Sequence, residues 1–547
     1  MLDKARFGAR RLALGLADFV VTLPALRWTW RGLADDAFAG DLPEFRPSDR
    51  EAVREMMAGR YLLASKLVES GGASPFALEI DHADWSWNLH GFSWLRHFRD
   101  LHDAGERQFA RTLVLDWIGR NGRFERRSWA PALCAQRILN WLRHLTLLLD
   151  GANAEQARTI QRALRTQIQS LKVRRRLLGD PVEALFAAIA LVGAELCEQG
   201  DKRDIDRYVE RLDLLLDAQL DTSGLHLSRN PRLQLQLLVE LASIRRALAQ
   251  HKSEASVELS AQVERMHESL DALTLGSGEP VYFNGCGQLP HDVLIAVQAN
   301  GSTRKRKSAL LGGYGILRTG EAVLVADSGL VPPLDLAGDA HSSALAFEFS
   351  HGTELILGSC GPAPADLAAS KSLFRQGIAH STATIDAHDA QPVATAGATA
   401  NRLTQAGPRP RMTLDGADHL LTITHSGYAQ RFGVDLERRL TLLSGGTTLV
   451  GQDRMLANGT LRQGLLAVRF HLAPGVIIRR NRGESIVRLV LPNGAVWSFL
   501  WEGAEFHEED SVRQSSYVGF AKTRQLVLET EVSPGVEVAW IFTLEQS

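Results

Sequence analysis

The chain has 547 residues, 45% of them hydrophobic and 23% charged, with a formal net charge of -2. That length exceeds one ordinary domain of roughly 150 residues, and the apolar share suffices for a core in each of two halves. The near-neutral balance excludes a chain-wide electrostatic footprint for nucleic acid or membrane, and four cysteines without CxxC or zinc-finger spacing argue against a disulfide framework and are compatible with a reduced compartment.

At the N-terminus, Lys4, Arg6, Arg10 and Arg11 precede the apolar stretch Leu12 to Leu26, as they would in a signal peptide. Asp18 interrupts the stretch, and Arg27-Trp28-Thr29-Trp30 stands where a small-x-small cleavage site belongs. The stretch is therefore read as an amphipathic first helix packed on the domain. No segment reaches the ~20 apolar residues of a membrane span. Without a convincing export signal, the cytoplasm is the expected compartment.

From about residue 48 to residue 275, apolar residues recur at helical spacing, as in Leu113-Val114-Trp117-Ile118 and Leu212-Leu215-Leu216-Leu220. Ser48 with Glu51 and Asn153 with Gln156 read as capping boxes. Asp180-Pro181 with Glu183, and Asn230-Pro231, read as further helix starts. Helices of roughly 12–20 residues with short connections predict helical hairpins winding into an incomplete (α/α) toroid over residues 1–300. Trp85, Trp87, His90 and Trp94 form an aromatic cluster whose spacing favours core over a sugar-stacking face.

The segment Gly276 to Lys307 is a transition, and Arg304-Lys305-Arg306-Lys307 reads as a solvated boundary within a linker at 301–313. From Tyr314 the pattern turns to period two with frequent Gly, Asn and Asp turns. Strands are expected at Ala322 to Ala326, Leu345 to Phe349, Glu354 to Leu357, Ser381 to Ile385 and Leu420 to Thr424. Further strands are expected at Leu436 to Leu443, Leu465 to Phe470, Ile486 to Leu491, Val496 to Trp501, Gln525 to Glu529 and Val536 to Thr543. Asp386 to Ala417, rich in Ala, Gly, Pro and Thr, reads as a loop. The expected fold is a multidomain α + β chain: the toroid-like helical domain, then an antiparallel β-sandwich over 314–547.

Three stretches of the second half carry a family likeness: Gly338-Asp339-Ala340-His341-Ser342-Ser343-Ala344-Leu345-Ala346-Phe347-Glu348, Ala379-His380-Ser381-Thr382, and His425-Ser426-Gly427-Tyr428 followed by Leu436-Glu437-Arg438-Arg439-Leu440. In the first half, Arg137, Asn140 and Trp141 match an Arg-x-x-Asn-Trp pattern. Together they resemble the heparinase II/III group of polysaccharide lyases. The resemblance implies β-elimination on a uronic-acid-containing acidic polysaccharide, in a cleft between the two domains. Such chemistry needs the uronate carboxylate neutralised, a Tyr or His base for the C5 proton, an acid for the leaving oxygen, and a donor beside the enolate-like intermediate.

The resemblance places His341 and His380 on the family's metal-ligating histidines, with zinc as the implied metal. Asp339 stands where a catalytic His is usual. The region Gly358-Ser359-Cys360 stands where a ligating Asp is usual, and a lone small Cys360 is more often core. The family's carboxylate-gripping Asn-His pair corresponds to Asp180-Pro181, and its Ser-Pro-Tyr to Asn230-Pro231-Arg232-Leu233, where Asp180 and Asn230 also read as plain N-caps. Catalytic candidates are thus His341, His380, Asp339 and Tyr428, with His425 weaker and His471 read as structural. Substrate-binding candidates are Arg137, Asn140, Arg175, Arg176, His226, Arg229 and Asn230; the run Arg174 to Arg176 also reads as a charged last turn. Alternation would put His341, Ser343 and Leu345 on one face of a strand. Two readings stand: a lyase acting on an acidic polysaccharide, or a catalytically degenerate carbohydrate-binding or scaffold protein of cell-surface polysaccharide metabolism. Neither involves nucleic acid. Relatives that degrade extracellular polymers are commonly periplasmic, the alternative to the cytoplasm.

Overall fold

The computed structural model describes every residue except 1, 31–37, 39, 101–102, 199, 252–255, 302–306, 392–406, 416–417, 481–484, 516–518 and 547. Two compact units emerge. One comprises Met1–Gln219, Gln236–Glu264 and Asp292–Asn300; the other comprises Leu220–Leu235, Arg265–His291 and Gly301–Ser547.

The first unit is helical. Its elements are α1 (Leu2–Val21), α2 (Arg50–Met57), a hairpin of β1 (Arg60–Leu63) and β2 (Lys66–Glu69), α3 (Ala83–Gly91), α4 (Ala104–Asn121), α5 (Pro131–Arg143), α6 (Leu145–Leu149), α7 (Ala154–Arg174), α8 (Pro181–Cys197) and α9 (Lys202–Asp217). Helices α10 (Pro231–Gln250), α11 (Ser256–Ala272) and α12 (His291–Gln298) follow.

Helix starts obey the capping chemistry. Asn153 and Gln156 make the expected reciprocal box, and Asp180 caps α8 with Pro181 in the first turn. Asp49, not Ser48, caps α2. Its carboxylate accepts from the Glu51 N–H, while the Ser48 hydroxyl donates to Asp100 at 2.6 Å. The β1–β2 hairpin corrects the all-helical expectation for residues 48–275. Ala64 and Ser65 both take positive φ, as a two-residue hairpin turn requires. Trp85 and Trp94 are buried, whereas Trp87 is exposed.

One buried cluster in this unit is built of ion pairs. Arg46 donates from Nε to Glu44 Oε1 at 2.9 Å and from Nη2 to Asn140 Oδ1 at 2.9 Å, and Arg143 pairs with Glu240. Burial opposes ionisation of Glu44, but Arg46 and Arg143 hold its carboxyl far below the usual range.

The second unit is a sandwich of two antiparallel sheets. One runs, in spatial order, β14 (Ile477–Arg479), β15 (Val487–Val490), β16 (Val496–Glu502), β19 (Glu537–Gln546), β12 (Thr448–Ala457), β11 (Val434–Leu442), β10 (Asp418–His425) and β9 (Arg409–Asp415). The other runs β17 (Glu505–Ser515), β18 (Gly519–Glu531), β13 (Leu465–Leu472), β7 (Glu354–Gly358), β6 (Phe347–His351), β5 (Ala322–Asp327), β4 (Tyr314–Thr319) and β3 (Ala309–Leu311), with β8 (Ala383–Ile385) paired to β13.

Alternation sorts each strand. Leu324 and Ala326 of β5 join Leu421, Leu436 and Trp540 in the core between the sheets. Val323 and Val325 face the opposite way, into a second core made by Leu225, Leu273, Leu275, Val281 and Phe283. That second core is why Leu220–Leu235 and Arg265–His291 group with the strands.

Several strand limits differ from the sequence reading. Residues 341–346 are not strand; Leu345 sits at φ 65 and β6 begins only at Phe347, so His341, Ser343 and Leu345 share no strand face. β9 lies inside the expected loop Asp386 to Ala417. Its Pro410 disguised it, yet β9 ends the sheet, where proline is tolerated. Residues 392–406 and 416–417 of that expected loop lie outside the described residues, as do 304–306 of the basic run.

Candidate functional site

The strand-rich unit carries a continuous buried polar network, and the two resemblance histidines sit at its end. It begins at Asp327, the last residue of β5, where a fully buried run meets the Ser-Gly turn. Asp327 Oδ1 receives Arg229 Nη2 at 2.5 Å and the Gly329 N–H at 3.2 Å; Oδ2 receives the Ser343 hydroxyl at 2.5 Å.

Arg229 is spent entirely on protein. Nε donates to the Gly312 carbonyl, Nη1 to Leu330 and Nη2 to Gly313, and its guanidinium lies 4.4 Å from the centre of the Tyr314 ring. Its expected substrate-binding role therefore has to be weighed against this set of protein partners. The Tyr314 hydroxyl donates to the Arg229 carbonyl at 2.6 Å and accepts from Asn284 Nδ2 at 2.9 Å. Asn284 Oδ1 in turn accepts the backbone N–H of His341 at 3.1 Å.

Asn284 stands at φ 51, a left-handed position that Asn tolerates better than most residues. Next to it Gly285, at φ 86, passes so close to Asp339 that a Cβ there would lie 2.6 Å from the Asp339 Cβ.

His341 Nδ1 and His380 Nε2 are 3.2 Å apart, with ring centres 5.2 Å apart. His341 is 5% exposed and His380 wholly enclosed. Burial pushes His341 down to about 3, with Arg375 adding to the effect and Asp339 opposing it. Burial, then His341 and His471, hold His380 well below the ordinary imidazole range. Both rings are neutral at pH 7.

The tautomers follow from accounting. His380 Nδ1 is buried without a partner. An unpaired N–H costs more than an unpaired lone pair, so the His380 proton belongs on Nε2, donated to His341 Nδ1. His341 then carries its own proton on Nε2, and that nitrogen is a donor, not a base.

Arg438 holds the segments that carry the pair. Lodged between the sheets, it forms a two-point ion pair with Asp453 (2.6 and 3.0 Å) and donates Nη1 to the carbonyls of Leu345 and Ser381. Ser381 also links outward: its hydroxyl donates to the Gly358 carbonyl and accepts the His471 N–H.

Other expected site residues have structural duties. Asp339 is exposed and pairs with Lys371 at 3.2 Å. Tyr428 is buried, its hydroxyl donating to the His388 carbonyl at 2.7 Å, and burial raises it well above the usual phenol range, so it is not placed to act as a base. His425 Nδ1 accepts the Gly427 N–H at 2.7 Å. Burial pushes His226 down to about 4; its Nδ1 lies 2.8 Å from the Ser228 hydroxyl. Asn230 caps α10 by accepting the Arg232 N–H at 2.9 Å.

In the helical unit, Arg137 is buried against Gln167 and the carbonyls of His90 and Ser128, and Asn140 donates to the Gly91 carbonyl. Arg175 and Arg176 are exposed in the turn after α7. Sequence reasoning missed Asp327, Asn284 and Tyr314. The available signals were an acid ending an apolar strand and an Asn-Gly turn.

The donors do not suit zinc. Among the described residues, no three His, Cys, Asp or Glu side chains are arranged to hold a metal ion, and two imidazoles alone fall short of a zinc site. Cys360 Sγ lies 3.7 Å from His471 Nδ1, apart from the pair.

Residues 301–541 match the family described as "Heparinase II/III-like, C-terminal". Over 538 residues the chain is 27% identical to FtsZ-localized protein C of Caulobacter vibrioides, covering 91% of this chain and 89% of that protein. Among solved structures, heparinase III superposes with a TM-score of 0.70 at 12% identity, covering 95% of this chain and 88% of that one. A mutant of the heparan sulfate lyase HepC from Pedobacter heparinus gives a TM-score of 0.63 at 15% identity, covering 92% and 85%. At such identities the structural likeness speaks for fold alone. Residues 301–541 thus form a heparinase II/III-like C-terminal domain, within a chain that has the fold of heparinase III.

Proposed function

We propose that this chain uses the lyase fold as a non-catalytic binding scaffold in cell-surface polysaccharide metabolism, acting at the site where FtsZ assembles. One observation carries the reading: the cation and the phenol beside the histidine pair are engaged with protein groups. Elimination needs a free cation or donor for the uronate carboxylate and a base for the C5 proton. Arg229 is consumed by Asp327 and three carbonyls, Tyr314 by Arg229 and Asn284, and His341 presents a neutral donor. The name of the Caulobacter relative, similar along nearly its whole length, supports an assignment to the division machinery.

A second reading, cleavage of a uronic-acid-containing polysaccharide, is favoured by the retained His341–His380 pair. In that reading His341 Nε2 donates to developing negative charge and a group outside the pair removes the proton. The readings separate on two assays of the folded chain. The scaffold reading expects pelleting with FtsZ polymers and oligosaccharide binding that survives His341→Ala and His380→Ala, without turnover. Failure to associate with either FtsZ or acidic oligosaccharides would sink it.

A further inference from the structure

Helix α1 is tied to the helical unit through Asp18, whose Oδ1 accepts from Arg174 Nε at 2.7 Å and whose Oδ2 accepts from Nη2 at 3.0 Å, with Leu14, Ala17 and Val21 half-buried on the same side. Its apolar stripe faces out. Leu12, Leu16, Phe19 and Val20 recur at helical spacing along one face and are 67%, 59%, 57% and 47% exposed; Leu23 follows just beyond the helix. A soluble helix ordinarily buries that stripe, and a contiguous exposed one marks a contact surface.

The chain then bends. Leu12–Val21 and Pro24–Trp30 meet at 80°. Trp30 secures the bend, buried with its ring centre 5.7 Å from that of Trp129 and 5.5 Å from that of Phe124. Trp28, two residues earlier, is 65% exposed.

Charge selects the occupant. Between Met1 and Arg31 the sequence has Lys4, Arg6, Arg10, Arg11, Arg27 and Arg31 against Asp3 and Asp18, and Asp18 is already paired with Arg174. An exposed apolar stripe, a net-cationic sequence and an exposed tryptophan are the three features of a segment that lies in the headgroup layer of an anionic bilayer. No single described helix is long and apolar enough to cross a membrane, and the bent pair reaches that length and composition only across its 80° break. We propose that residues 2–30 form a membrane-surface anchor, with the stripe Leu12, Leu16, Phe19, Val20 inserted at the boundary between headgroups and acyl chains of an anionic leaflet. This stands independently of the scaffold and lyase readings.

The test is co-sedimentation of the full chain with phosphatidylcholine vesicles, with and without phosphatidylglycerol. The expected result is sedimentation with the anionic vesicles only, weakened by added salt. Leu16→Glu and Phe19→Glu each reduce it by about tenfold, with circular dichroism and Tm unchanged because both sites are exposed. Equal behaviour with neutral vesicles, or wild-type binding by the two variants, overturns the proposal. So does a wild-type dimer that these substitutions convert to monomer without vesicle association, which would make a second copy the occupant. Native protein whose first residue lies beyond 31 would mark the segment as a cleaved leader and also overturn it.

Discussion

Each unit buries a cluster of ionisable groups: the helical one is held mainly by ion pairs beside the buried His144, and the strand-rich one runs from the Arg229–Asp327 ion pair to two neutral imidazoles. In the helical unit Glu44, Arg46, Arg143 and Glu240 are enclosed as ions, each compensated by an opposite charge. In the strand-rich unit His341 and His380 are enclosed as neutral rings, linked to each other and, through Asn284, to Tyr314 and Arg229. Enclosed ions tie a fold together through partners, whereas enclosed neutral imidazoles make it lose stability already in mild acid, above the range where Glu44 would begin to do so. The lesson is that a retained pair of family histidines need not retain family chemistry, because the surrounding donors decide what the rings can do.

The largest expected effect comes from unpairing an enclosed charge. Arg229→Met leaves the Asp327 carboxylate buried without its cation and should cost about 3–5 kcal/mol in denaturant unfolding. Adding Asp327→Asn should return part of that loss. Equal stability of Arg229→Met and wild type would show that Arg229 is not the closed strut described. Glu240→Gln in the helical cluster should cost a similar amount, which checks that the comparison is between like kinds of burial.

Acid should then separate the clusters. The folded-state pKa values of His341 and His380 lie below the unfolded value, so the unfolded chain binds more protons below pH 6.5. Stability contributed by the neutral rings is full above that pH and falls as the pH drops toward about 3. Each group contributes a slope of up to ~1.4 kcal/mol per pH unit. His380→Phe should flatten the acid limb by about one proton; an unchanged slope would mean the ring is not held neutral.

Smaller again is Asn284→Ala, which removes an acceptor from the His341 N–H and a donor from Tyr314 at a left-handed position. A loss of about 1–3 kcal/mol is expected. The smallest is Tyr428→Phe, expected to cost about 1 kcal/mol for one hydrogen bond and to leave carbohydrate binding untouched.

Much of the fold was legible in the sequence because its periods differ. Period 3.6 marks α5 and α9, and alternation marks β10 and β11. Legibility failed where local chemistry pointed elsewhere than tertiary packing. Pro410 disguised an edge strand, and the Ala64-Ser65 turn hid inside a helical stretch. The site was legible only in part. His341 and His380 were found from their motifs and do meet at 3.2 Å. Their environment was not legible, because Asp327, Asn284 and Tyr314 come from separate stretches and join only once the second core closes around Phe283 and Val325. Arg229 was picked out as polar loop chemistry, but its partner Asp327 lies 98 residues away, beyond the reach of local pattern.

The most direct test of the central claim is ultraviolet absorbance of unsaturated uronate ends after incubating the folded chain with a panel of uronic-acid-containing polysaccharides. The engaged cation and phenol predict a flat trace on every polymer, equal to that of His341→Ala. A rising trace on any one of them, abolished by His341→Ala while the variant stays folded, would contradict it.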